Sequence, residues 1–134
     1  MKKVKILMAA FVISCVVSAM GVNAAQTVGL TNITVPALVG TYSTGYHSKT
    51  QDGHQYAKKT SAIDSLSGDE RAVKARLAGV DNDFLWVTLP KGTKTQIHSG
   101  YSQLGDYTGS FSLQLRHVKV LATTSTFNGT WWLY

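Results

Sequence analysis

Phe111-Ser112-Leu113-Gln114-Leu115-Arg116 alternates apolar and polar side chains with a period of two. That period sets Phe111, Leu113 and Leu115 on one face of an extended strand and their neighbours on the other. After residue 25, no long run answers it with the 3.6-residue period of a helix. Short apolar stretches alternate instead with turn residues: Asp52-Gly53, Asp81-Asn82-Asp83, Pro90-Lys91-Gly92 and Asn128-Gly129. Proline fixes φ, glycine allows positive φ, and Asp and Asn bond their own backbone, so each cluster ends a strand. The expected fold is all-β, a small antiparallel β-sandwich or small barrel of seven to nine short strands.

The first residues of this 134-residue chain read differently. Met1-Lys2-Lys3-Val4-Lys5 is a basic start, residues 6–20 are apolar, and Val22-Asn23-Ala24 offers small residues at the −3 and −1 positions of a signal-peptidase site. Cleavage is expected after Ala24, with Ala25 as the alternative. This gives a signal peptide over 1–24 and one domain over 25–134. The apolar run has 15 residues, fewer than the ~20 a spanning helix needs. Cys15, the only cysteine, lies inside it. A lipoprotein cysteine would follow a completed apolar run, whereas Val16-Val17 continue this one. The exported chain then has no thiol nucleophile and no disulfide, and must hold together by its core.

Several strands can be placed by pattern. Residues 26–35 form one that Pro36 ends, at a sheet edge. Tyr42 and Tyr46 share parity on a strand that turns at Asp52-Gly53 into a polar return strand over 54–66, with Lys58-Lys59 on its solvated face. Residues 67–79 carry two patterns. Ser67 and Glu70 have capping-box spacing, while Val73, Ala75 and Leu77 alternate with Lys74 and Arg76; the β-rich neighbourhood favours the strand. Phe84-Leu85-Trp86-Val87-Thr88-Leu89 is the densest apolar run after the leader and has apolar residues on both faces, so it is expected to be central, with Trp86 in the core. Pro90-Lys91-Gly92 turns it into a return strand that points Ile97 inward. Residues 99–109 read as a loop and 118–127 as a strand with Val118 and Val120 inward. Asn128-Gly129 reads as a hairpin turn into a last strand, Thr130-Trp131-Trp132-Leu133-Tyr134.

The net charge of +6 includes Lys2, Lys3 and Lys5; without them ten basic face seven acidic side chains, a net +3. That suits contact with anionic wall polymers or head groups, and is too weak and scattered for nucleic acid. No nucleophile-elbow, zinc-protease, phosphate-loop or calcium-loop motif is present. Most aspartates sit in turn contexts, the one glutamate, Glu70, has a cap or surface use, and His47 and His54 beside Asp52 fall short of a four-ligand zinc site. Neither an enzyme, a metal nor a cofactor is expected. The aromatics carry the functional expectation. Trp131 and Trp132 are adjacent and face opposite ways in a strand. Trp131 and Leu133 are assigned inward; Trp132 and Tyr134, with Tyr42 and Tyr46, are assigned to a binding patch.

In size, leader and aromatic end the chain resembles small secreted proteins of Gram-positive bacteria, some bacteriocins among them. The resemblance is one of style and transfers no site residue. The expected function is a secreted, non-enzymatic binding protein whose partner is a cell-wall polymer, a membrane surface or an extracellular protein. A bacteriocin-like antimicrobial acting on a neighbour's envelope is the alternative.

Overall fold

The computed structural model describes residues 26–50, 53–79, 85–97 and 109–133. The expected signal peptide, Asp52, the turn at 81–83, Phe84, most of the loop at 99–109 with Tyr101 and Tyr107, and Tyr134 lie outside the described residues. Nine strands run in order among those described: β1 (Gln26–Val35), β2 (Tyr42–Ser43), β3 (His47–Lys49), β4 (Tyr56–Asp64), β5 (Val73–Gly79), β6 (Val87–Thr88), β7 (Thr95–Gln96), β8 (Gly109–His117) and β9 (Ser125–Leu133). They form two antiparallel sheets. The first has the order β1-β9-β4-β7. The second has the order β2-β8-β5-β6, with β3 also paired to β8.

One apolar cluster draws from both sheets. Leu30, Ala57, Ala62, Phe127, Trp131 and Leu133 come from the first; Val73, Ala75, Leu77, Phe111, Leu113 and Leu115 come from the second. Period-two alternation supplies this directly. Leu113 pairs Leu77, Leu115 pairs Ala75, and all four side chains are buried. Residues 73–79 are the strand rather than the helix, and β1 is an edge strand that ends before Pro36. Ser67 and Glu70 cap no helix. Ser67 Oγ accepts from the Asp69 amide, and Glu70 Oε1 accepts from the Ala62 amide.

The apolar run at 84–89 is not central. Its described part contributes only the two-residue β6, at the edge of the second sheet beside β5. Leu85 is 64% exposed, while Leu89 is buried. Trp86 shares parity with Thr88, which pairs Lys74 on the outer face, so Trp86 points away from the core. The turn at Pro90-Lys91-Gly92 forms, with Gly92 at a φ of 76° and its N–H bonded to the Lys59 carbonyl. The chain does not return along β6, however. It crosses to the first sheet, where β7 pairs β4 and Ile97 is buried. The expected hairpin around Asp52-Gly53 fails in the same way: β3 pairs β8 and β4 pairs β9, in different sheets. Both links exchange sheets, which local turn chemistry does not announce.

Lys59 is buried rather than solvated. Its Nζ donates to the Arg71 carbonyl at 2.8 Å and lies 3.3 Å from Glu70 Oε1. Val118 and Val120 are not inward, because β8 ends at His117 and β9 begins at Ser125, leaving 118–124 as a connection.

Asn128-Gly129 is no hairpin turn either, since it lies inside β9. Pairing shifts register between Leu30 and Ile33 on β1 and between Lys59 and Ser61 on β4, both opposite this dipeptide. Asn32, at a φ of 53°, donates its N–H to Asn128 Oδ1 at 2.9 Å. Asn128 Nδ2 reaches Ser61 Oγ. A Cβ on Gly129 would stand 2.3 Å from the Lys58 carbonyl oxygen and 2.8 Å from the Phe127 ring. The dipeptide therefore serves two facing bulges, where backbones approach closely.

Candidate functional site

Trp131 and Trp132 divide as their adjacency requires. Trp131 is fully buried. Its Nε1 donates to Gln55 Oε1 at 2.9 Å, and the His47 ring meets it edge-on at a centroid distance of 5.5 Å. The buried indole N–H thus has the partner it needs. Trp132 lies on the outer face of the first sheet, with Thr27 on one side and Tyr56 on the other. Lys94 Nζ stands 4.6 Å from the Trp132 ring and 4.9 Å from the Tyr56 ring. An open depression of about 520 Å³ is lined by Gly53, His54, Tyr56 and Lys94.

Of the other residues assigned to the patch, the two that are described lie elsewhere. Tyr42 pairs Leu115 and packs on the core, so it faces inward. Tyr46 is exposed between β2 and β3, at the second sheet, and Tyr134 is outside the described residues. The structure brings Trp132 together with Tyr56 and Lys94. Tyr56 stands in the polar strand 54–66, which pairs β9 and β7 rather than the strand preceding Asp52-Gly53.

A second cation–aromatic group occupies the outer face of the second sheet. Arg76 Cζ lies 4.7 Å, Arg116 Cζ 4.9 Å and Lys74 Nζ 5.5 Å from the Trp86 ring. Lys74 pairs Arg116 across the strands, and Arg76 pairs Gln114, whose Oε1 accepts from Arg76 Nε. The described carboxylates, Asp64, Asp69 and Glu70, all lie away from this face, at the β4–β5 connection.

That connection is pinned to its neighbours by a polar network. Asp64 is buried and accepts from the Leu66 and Ser67 amides, from Arg71 Nε at 3.0 Å and from the Thr123 hydroxyl. The Thr123 hydroxyl, then the two amides, then Arg71 hold its carboxyl far below the ordinary 3.8, although burial opposes them. His117 is buried nearby, with Nε2 2.7 Å from Ser125 Oγ. Burial foremost, then the Arg71 charge, pushes it below 6.5, against the pull of Asp64 and the Pro36 carbonyl. Asp64 and Arg71 form an ion pair, and Glu70 is clamped between Lys59 and Lys91. These are joints between strands rather than a paired acid and base. Among the described residues no cluster of three His, Cys, Asp or Glu side chains could hold a metal ion.

No family model, curated protein or solved structure matches the chain.

Proposed function

We propose that this chain is an exported, non-enzymatic β-sandwich that binds an anionic cell-wall polymer through the outer face of its first sheet. One observation carries the reading: Trp132 and Tyr56 are half-buried cross-strand neighbours on the outer face of the first sheet, with the Lys94 ammonium over both rings and an open depression lined by Tyr56 and Lys94. Two adjacent rings offer apolar faces to the C–H faces of sugars. Lys94, on a flexible stem, can swing from the rings to an anionic substituent. The basic start, apolar stretch and small residues of 1–24 support export, and the net +3 of the remainder suits an anionic wall.

The test is co-sedimentation of the protein with purified Gram-positive walls, before and after their anionic polymers are stripped. Binding should be lost on stripping. Trp132→Ala should weaken it about tenfold, and Lys94→Gln should flatten its salt dependence. Equal binding by Trp132→Ala, at an unchanged melting temperature, would contradict the proposal.

A further inference from the structure

Three connections meet at one end of the two sheets: β1 to β2, β4 to β5, and β8 to β9. The β8–β9 connection lies between the others. Leu38 N–H donates to the Leu121 carbonyl at 2.6 Å on one side, and Ser65 N–H to the Thr124 carbonyl at 3.0 Å on the other. Four aliphatic side chains stand in solvent on these connections: Leu66 is 84% exposed, Val120 69%, Val39 65% and Leu38 59%. Leu38 is held there at a φ of 59°, a left-handed conformation that a leucine adopts only when its surroundings impose it. Beneath them the Asp64–Arg71–Thr123 network ties the connections to the strands.

We infer that this end is a docking surface for an anionic lipid bilayer, with Leu38, Val39, Leu66 and Val120 entering the interface and Lys119 and Arg116 meeting lipid phosphates. The shape favours lipid over a protein partner. The aliphatics are spread over three connections and each is more than half exposed, an arrangement that a deformable interface can surround more fully than a rigid one. The charge fits as well. Lys119 is exposed between Val118 and Val120, and Arg116, near the end of β8 with its guanidinium over Trp86, reaches the β1–β2 connection through its bond to Thr41 Oγ1. Exposed aliphatics backed by basic residues combine the two attractions that hold a protein on an anionic surface. The exposed carboxylate of Asp69 opposes them, and Asp64 and Glu70 are already ion-paired. The inference stands apart from the wall-polymer site, which lies on the outer face of the first sheet.

Residues 25–134, the chain expected after cleavage, carry both sheets and the core cluster, and are the material for the test. They should partition onto phosphatidylglycerol/phosphatidylcholine vesicles, and far less onto phosphatidylcholine alone. The double variant Leu38→Asn/Val120→Ser should lose at least about tenfold in partitioning. Asparagine tolerates positive φ, so melting should hold. Trp132→Ala should bind vesicles as the parent does, which separates this site from the wall site. Because residues 25–134 contain no cysteine, an environment-sensitive dye on Val120→Cys reports insertion. It should shift to the blue on anionic vesicles, while a dye on Thr27→Cys should not. Unchanged partitioning of the double variant, or equal shifts at both positions, overturns the inference. So does a protein that ignores vesicles but forms a dimer which the double variant dissociates, because a second copy would then cover this end.

Discussion

Strand β9 contains Trp131 and strand β6 directly follows Trp86, each in an apolar setting, and the structure treats the two tryptophans oppositely. β9 lies between β1 and β4 with nine residues, and Trp131 is buried in the core. β6 has two residues at an edge, and Trp86 lies outside it among three cations. By local density of apolar side chains, 84–89 would be the buried strand. The number of flanking strands decides otherwise. A strand paired on both sides delivers every inward side chain to a covered face, whereas an edge strand leaves part of its run in water or under long basic side chains.

The contrast can be pressed with substitutions. Trp131→Ala should cost about 3–5 kcal/mol, because it opens a cavity and strips Gln55 of its buried donor; denaturant melts read this directly. Gly129→Ala should cost about 1–3 kcal/mol through collision with the Lys58 carbonyl and the Phe127 ring. At the β6–β7 turn, Gly92→Ala meets nothing within 4 Å, and should cost only the ~1 kcal/mol of a positive φ. Near-equal losses for the two glycines would break the comparison.

Acid should weaken the protein in two stages, both centred where β9 begins. His117 titrates below 6.5 in the fold, so the unfolded chain binds its proton first, and stability falls as pH drops through 6.5. Asp64 titrates far below 3.8 in the fold, so its contribution is complete at neutral pH and is lost progressively as pH falls below 3.8. Melting temperatures of His117→Gln against pH should lack the first stage, and those of Asp64→Asn the second.

Trp86→Ala should cost about 1 kcal/mol, the scale of exposed cation–π contacts. Trp132→Ala should change stability by no more than about 0.5 kcal/mol, as for an outward residue, while weakening wall binding. A melt in which Trp86→Ala matches Trp131→Ala would return 84–89 to the core.

Parity was legible in the sequence; partnership was not. The inward set Phe111, Leu113, Leu115, Val73, Ala75, Leu77, Trp131 and Leu133 follows from period two alone, because alternation is a property of one strand. Which strands pair is a property of two. Asp52-Gly53 and Pro90-Lys91-Gly92 read as hairpins, yet each lies on a link that exchanges sheets. Asn128-Gly129 read as a turn because its bulge partners, Asn32 and Ser61, are far away in sequence. The candidate site shows the same division. The outward Trp132 was readable from parity, while Tyr56 and Lys94 reach it only through β4 and β7, whose pairings no local pattern specifies.

Hydroxyl-radical footprinting of the folded protein, read by mass spectrometry at each tryptophan, tests most directly whether strand position governs burial. Trp86 and Trp132 should oxidise readily and Trp131 should be protected until the protein unfolds. Protection of Trp86 to the level of Trp131, or oxidation of Trp131 in the folded state, would contradict the account.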